Sequence, residues 1–430
     1  MTTETTATNS PPTGCGSRMR MAWRAGALGV ALLAGCEPAE EVRIPFRDMT
    51  PHEAYAESLK ESGLAATALG REWIRTGRVA MSEAVPVSLP FEEEGRVLAG
   101  EPDAVAYRVA VPRGRKLAAE ISFSGDERAR VFVDLFRAAD DEADIARPVV
   151  SSDGVPVSFV HEPWRGGEFV LRIQPELLRQ GRYRVSLKLE SQLSFPVAGR
   201  DTRAIQSFFG ADRDAGARRH EGVDIFARRG TPVLAAAPGR AYRIGITNLG
   251  GKVVWVRDDI HNARVYYAHL DSQAVVDGER IEVGDTLGFV GNTGNARTTP
   301  PHLHFGVYRS GRGAIDPLPF LRPPTGALPV LTADLEQLGG WVGPAADGLR
   351  LRAAPGTDAP ILRELSREAS ARVLAATGDY LRVRLTDGTA GYVAARLTRP
   401  VDAPPATRVA ARDASPAAPS TASESRGATE

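Results

Sequence analysis

The stretch TTPPHLHFGVY, Thr298–Tyr308, places two histidines one residue apart behind a pair of prolines, in a chain with only seven histidines among 430 residues. Pro300 and Pro301 exclude a helix interior just upstream, because proline lacks the backbone N–H and its ring collides with the preceding turn. On a helix the two imidazoles would diverge by about 160°, given about 3.6 residues per turn. On a strand, positions i and i+2 share a face, so His302 and His304 point together while Leu303 and Phe305 point to the core. The stretch therefore reads as a strand that presents two rings to one site.

Two further motifs supply partners. In RRHEGVDIF, Arg218–Phe226, His220 and Asp224 flank Glu221-Gly222-Val223. A fully extended strand would hold these side chains about 13 Å apart, whereas two ligands of one zinc, each about 2.0 Å from it, lie about 3–4 Å from each other. The backbone has to turn between them, and Gly222 permits the turn. VDIF then continues as a strand with Val223 and Ile225 facing away from Asp224. In HNARVYYAHLD, Val265, Tyr266 and Tyr267 read as a strand leading to His269. A His-x-x-x-Asp pair plus a strand histidine supplies three ligands and leaves a fourth tetrahedral position for water, as in catalytic zinc sites. Each motif alone also has a plainer reading, a surface His220–Asp224 pair and a hydrogen-bonded core histidine at 302 or 304. His52, His161 and His261 show no partner pattern and read as surface residues.

Taken in order, His220-x-x-x-Asp224, the YAH ending at His269 and His302-Leu303-His304 resemble the lysostaphin-type zinc endopeptidases, which cut peptide cross-links of bacterial cell walls. FPVAGR at 195–200, Phe209-Gly210, GTPVLAAAPG at 230–239, VGDTLGFVGNTGNA at 283–296 and Asp316-Pro317 extend the resemblance over about 195–322. It implies an antiparallel β peptidase domain of the duplicated hybrid motif type over 193–323. It also implies Zn2+ as cofactor with His220, Asp224 and His304 as ligands, and peptidoglycan as substrate. His269 and His302 would be the catalytic histidines, one accepting the proton of the attacking water and the other stabilising the oxyanion; which takes which role stays open. Asp316 or backbone carbonyls are candidates to orient a ligand histidine. Some members have lost their ligands and act as activators of other wall hydrolases. All five positions stand here, so a zinc endopeptidase is the leading expectation and a catalytically silent wall-binding scaffold or activator the alternative. GADRDAGARR, 210–219, lacks the aromatic residues that many members carry there, which leaves substrate preference open.

Lys plus Arg and Asp plus Glu each number 53, so no net charge draws the chain to nucleic acid. The only cysteines, Cys15 and Cys36, leave the rest of the chain without an internal disulfide. Arg18, Arg20 and Arg24 precede AGALGVALLAG, 25–35, which is too short to span a bilayer but right for a signal-peptide apolar region. Leu33-Ala34-Gly35-Cys36 resembles the lipobox of bacterial lipoproteins, which implies lipidation of Cys36 and a membrane anchor without a transmembrane helix. An ordinary secretory signal or a short buried helix is the plainer reading. Met19 or Met21 offers an alternative start that would exclude Cys15. The expected location is the cell envelope, lipid-anchored and facing the periplasm, where glycine bridges are the less expected substrate. The choice of inner or outer membrane and the oligomeric state stay open.

The remaining organisation is mostly β. Residues 1–36 are a signal peptide with lipobox and 37–50 a linker. Thr50 as N-cap, Pro51 at the first helical position and Glu53 then open a helical segment over 51–82. Alternating runs such as AVAYRVAVP, KLAAEISFSG, ARVFVDLFR, EFVLRIQP and GRYRVSLKLE predict an antiparallel β-sandwich over 83–192. Leu349-Arg350-Leu351-Arg352, Pro355-Gly356, Asp387-Gly388 and Gly391-Tyr392-Val393 resemble a bacterial SH3-type barrel over 338–400, either a wall-binding module or a spacer. Residues 401–430, rich in Ala, Pro, Ser and Thr with few large apolar residues, are expected to be a disordered tail.

Overall fold

A computed structural model describes residues 49–126, 128–138, 147–258, 260–323 and 326–404. The lipobox with Cys36, the linker up to residue 48 and the tail from 405 lie outside the described residues, and no described helix is long and apolar enough to cross a membrane. Strands dominate, with three α-helices among the described residues, so the fold is mostly β as expected.

The helical segment forms Pro51–Glu61, a 3-10 turn Leu64–Ala66, and Ala68–Ser82. Its start is the capping box expected from Thr50 and Glu53: the Thr50 hydroxyl accepts from Glu53 N–H, and the Glu53 carboxylate accepts from Thr50 N–H. Trp73 is fully buried against Phe132, and its indole N–H donates to Pro175 O at 2.8 Å. His52, expected at the surface, instead stacks on Trp73 with ring centres 4.8 Å apart and donates Nε2–H to Gln174 Oε1 at 2.8 Å. Burial and the nearby Arg172 push that ring down to about 4, so it packs as a neutral aromatic.

All five alternating runs form strands, Val105–Val111, Arg115–Gly125, Val131–Arg137, Gly167–Pro175 and Gly181–Ser191. They pack as two sheets around a core that includes Tyr107, Leu117, Leu135, Phe169, Leu171 and Val185. One pairing is parallel, Val85–Val87 on Val105–Val111. The strand Phe91–Val97 is invisible to period-2 reading because FEEEGRV carries three consecutive glutamates. Its Glu93 is 0% exposed. A buried carboxylate requires a buried partner, and the partner comes from the C-terminal segment, 289 residues away. Arg382 Nη2 donates to Glu93 Oε1 at 3.0 Å and to the Tyr183 hydroxyl at 2.8 Å, while the Tyr107 and Tyr392 hydroxyls donate to Glu93 at 2.6 and 3.4 Å.

This ionic cluster sits under a continuous sheet. The C-terminal segment forms seven short strands, Trp341–Pro344, Leu349–Arg352, Ile361–Leu365, Ala371–Thr377, Tyr380–Leu385, Ala390–Ala394 and Thr398–Val401. Ala371–Thr377 pairs antiparallel with Phe91–Val97, setting Glu94 opposite Ala376 and Gly95 opposite Ala375. The sandwich sheet and the C-terminal sheet are thus one eleven-stranded sheet. Gly95 is required at the join, because a Cβ there would lie 2.4 Å from the Tyr183 ring.

Residues 205–315 form a ten-stranded sheet. The segment Ile205–Ser207 pairs with Val223–Phe226, which pairs with His302–Arg309, then Ala263–Gln273, Gly251–Asp258, Gly239–Thr247 and Arg280–Ile281. Leu303, Phe305, Val307, Val265, Tyr267, Val223 and Ile225 fill its core. It meets the sandwich along a seam where Trp164 packs on Phe320 at 4.7 Å and Leu193 N–H donates to Phe320 O at 3.1 Å. His261, also expected at the surface, lies in that seam between Asp258 Oδ2 at 2.7 Å and Glu162 Oε2 at 3.0 Å, and Lys116 faces Glu162 at 3.2 Å. His161 is half-buried against Phe169. Burial alone would lower the His261 ring, but the hydrogen bonds to Asp258 and Glu162 outweigh it and raise the ring to about 9.

Two outcomes follow from these contacts. Arg382→Met should lower the unfolding free energy by about 3–5 kcal/mol, the range for stranding one partner of a buried ion pair. Adding Glu93→Gln should recover part of that loss, as read by chemical denaturation of the full chain. A pKa raised on folding stabilises fully below the unfolded value and ceases to do so as pH passes the folded value. His261→Gln should therefore lower the melting temperature most at pH 6, with the difference from wild type shrinking as pH rises through about 9.

Candidate metal centre

Antiparallel register sets Asp224 directly opposite His304, and Phe226 opposite His302. His302 and His304 share one face as strand geometry requires, with Leu303 and Phe305 both fully buried on the other. His220 arrives from the loop before Val223. Its N–H donates to Ala211 O at 2.8 Å and its carbonyl accepts from Gly210 N–H at 2.8 Å. Gly222 marks a bend between His220 and Val223, but its φ is not left-handed. Glycine is needed there for space: a Cβ would lie 2.5 Å from Phe305 O and 2.8 Å from the Cε1 of His304.

His220, Asp224 and His304 converge. His220 Nε2 lies 2.9 Å from Asp224 Oδ1 and 3.0 Å from His304 Nδ1, and His304 Nδ1 lies 3.0 Å from Asp224 Oδ1. His220 Nδ1 faces Phe208 O at 2.9 Å, an atom that only accepts. The ring therefore carries its proton on Nδ1 and turns a bare lone pair at Nε2 toward the cluster. Three lone-pair atoms from two imidazoles and a carboxylate thus face one another, each within 4.8 Å of the rest. A tetrahedral N/O-ligated divalent cation satisfies all three at once and leaves one position open, so the donor set fits such an ion. Burial alone would raise the Asp224 carboxyl, but a proton on the facing nitrogen of His220 or His304 donates to Oδ1 and holds it well below the usual carboxylate range. Burial likewise pushes the His304 ring down against the pull of Asp224.

The other two nominated histidines stand beside this cluster. Ring centres of His269 and His302 are 5.0 Å apart, and those of His269 and His304 are 5.9 Å apart. His269 Nδ1 donates to Thr293 O and His302 Nδ1 to Pro300 O, each at 2.9 Å, so both present a bare Nε2 as acceptor. Burial, reinforced by His302 and His304, pushes His269 down to about 4, which keeps it neutral near neutral pH. His269 adopts φ +62°, a left-handed backbone costly for a residue with a side chain, at a register shift of its strand. The ring is therefore aimed by a local break in the ladder and not by simple alternation.

Backbone carbonyls, and not Asp316, orient His220, His269 and His302. Asp316 instead accepts from Leu318 N–H at 3.0 Å. Sequence reading missed Arg213, which donates to Asp224 Oδ2 at 2.7 Å and to Ser207 Oγ at 2.6 Å, fixing the carboxylate with Oδ1 toward the histidines. Its signal lay in the charged run 210–219, but nothing in that run singled out one arginine. Also unmarked was a row of half-buried aromatics on the His304 face. Tyr242 lies opposite Trp255 and Trp255 opposite Tyr266, the Trp255 and Tyr266 ring centres are 4.3 Å apart, and Tyr266 is 5.8 Å from His304.

Residues 218–317 match Peptidase family M23, and residues 347–398 match the bacterial SH3 domain. The chain is similar to the L-Ala--D-Glu endopeptidase of Bacillus subtilis, 38% identical over 140 residues, which covers 30% of this chain and 43% of that protein. It is similar to the lysostaphin of Staphylococcus staphylolyticus, 38% identical over 109 residues, covering 24% of this chain and 22% of that protein. It is also similar to the peptidoglycan DD-endopeptidase ShyC of Vibrio cholerae, 34% identical over 100 residues, covering 22% of each. The chain thus spans less than half the length of these curated relatives.

The glycine at 222 offers a check on the geometry. Gly222→Ala should displace the His304 ring and weaken zinc binding at least tenfold, within the about 10–100-fold range of changes that disturb ligand orientation. Competition with a chromophoric chelator measures this, with circular dichroism unchanged.

Proposed function

Residues 218–317 form a domain of peptidase family M23, and from that premise we propose that the protein is a zinc endopeptidase that hydrolyses peptide cross-links of bacterial peptidoglycan. The observation that carries this reading is the convergence of His220, Asp224 and His304 on one point, with His269 and His302 beside it. In this reading the first three residues hold the ion. Once bound, zinc supplies Lewis-acid chemistry toward a carbonyl and lowers the pKa of water.

The rest of the work falls to the side chains. His269 and His302, each with Nδ1 tied to a backbone carbonyl, present Nε2 toward the same space. A neutral imidazole takes the proton from the attacking water, and the resulting imidazolium donates it to the departing amine. Arg213 holds Asp224 in its ligating orientation. The aromatic row from Tyr242 to Tyr266 offers a floor along which an extended peptide can lie. The relatives' names specify different peptide bonds, an L-Ala--D-Glu bond in one and a DD bond in another, so the class of reaction is proposed without the bond.

The C-terminal module is proposed to contact the wall from a fixed position, because its sheet is continuous with the sandwich sheet. Lipidation at Cys36 is proposed to hold the protein at a membrane of the cell envelope, facing the periplasm, on the strength of the Leu33–Cys36 lipobox.

Incubated with purified wall sacculi, the zinc-loaded protein should release soluble peptides, and a chelator should abolish the release until zinc is restored. Asp224→Ala should lose both zinc and cleavage. His302→Ala should keep zinc and lose cleavage by at least 100-fold, the scale of removing general acid–base catalysis. Release by both variants at the wild-type rate would refute the assignment.

A further inference from the structure

Arg113, Arg165, Arg309 and Arg312 line one cleft of about 390 Å³ with Trp164 and Phe320, at the seam between the sandwich and the ten-stranded sheet. Two tight turns and the end of a strand bring them together. Arg309 ends the strand His302–Arg309, and Arg312 N–H donates to Arg309 O at 3.0 Å in a turn tightened by left-handed glycines at 311 and 313. Arg165 lies in a turn closed by Gly166 N–H donating to Pro163 O at 2.7 Å. A Cβ on Gly166 would lie 2.5 Å from Val111 O and 2.6 Å from Arg113 N, so glycine is what lets this turn rest on the backbone of Arg113. Arg113 spreads over the Phe320 ring at 5.4 Å and Arg309 over the Trp164 ring at 5.2 Å. Stacking uses the face of a guanidinium and leaves its N–H edges free to bond.

No carboxylate lines the cleft, and among the described residues none of the four arginines is in an ion pair. Arg130, Arg172, Arg184, Arg213 and Arg382, by contrast, all have carboxylate partners. Four cations grouped in one cleft repel one another and concentrate anions there. A single carboxylate offsets one of the four charges, whereas a phosphate offers more charge and oxygens matched to the guanidinium fork. The volume suits a compact group, within the range of small-ligand pockets.

We propose that this cleft is a binding site for a multiply charged phosphate group, with the Trp164 and Phe320 rings beside the moiety that carries it. Along the strand, the five residues from His304 to Arg309 separate it from the His220–Asp224–His304 cluster by about 17 Å, at about 3.3 Å per residue. The site is therefore outside the hydrolytic centre and does not rest on the proposed reaction. A free phosphate compound and a phosphomonoester lipid headgroup present the same chemistry.

Two binding measurements on the full chain test the site: calorimetric titration with inorganic pyrophosphate, and sedimentation with phosphatidylcholine vesicles with or without phosphatidic acid. Wild type should bind at least one of the two phosphate sources saturably at physiological ionic strength. Arg165→Gln combined with Arg312→Gln, both exposed, should weaken that binding at least tenfold, while Arg203→Gln, an exposed arginine outside the cleft, should leave it unchanged. Saturable pyrophosphate binding identifies a free phosphate compound as sufficient; binding that appears only with phosphatidic acid identifies the headgroup. Absence of saturable binding to both, equal binding by the double variant, or equal weakening by Arg203→Gln overturns the proposal.

Discussion

The antiparallel register that sets Asp224 opposite His304 is the constraint on which the site depends. A slip of one residue would turn His302 and His304 into the core and expose Leu303 and Phe305. The fully buried Leu303, Phe305 and Val307 therefore hold the register as well as the domain. Gly222 completes the arrangement by leaving room for the His304 ring, and Arg213 holds the far oxygen of Asp224. Three lone-pair atoms about 3 Å apart are an unfavourable arrangement for an empty protein. The packing that enforces it is what makes the cluster fit for a metal ion.

Around that sheet the described parts of the chain are joined by buried or half-buried charge. Glu93 and Arg382 tie the sandwich to the C-terminal module under a continuous sheet, and Glu162, His261 and Asp258 tie it to the ten-stranded sheet. Such groups are specific because each is costly without its partner. They also fix where the C-terminal module stands relative to the site, which in the proposed function means that wall contact and cleavage geometry are set together.

Much of this was legible beforehand. The Thr50–Glu53 capping box, the five alternating strands and the shared face of His302 and His304 all follow from local chemistry with short sequence separation, and all stand in the structure. What reading along the chain missed shares one property. The strand Phe91–Val97 was hidden because its Glu93 is neutralised from 289 residues away; His52 and His261 looked like surface residues because Gln174 and Glu162 are distant from them in sequence; Arg213 was one of several arginines in a charged run.

By itself, the sequence determined the candidate site residues, their order and the strand that carries His302 and His304, the strand because periodicity and proline are local constraints. Only the tertiary structure decided that His220 meets His304, that His269 is aimed by a left-handed backbone, that backbone carbonyls and not Asp316 set the tautomers, and that four arginines share one cleft. Those outcomes depend on which distant groups burial brings within about 3 Å of each other. A hydrogen bond or charge pair between residues far apart in sequence has no period along the chain from which it could be read.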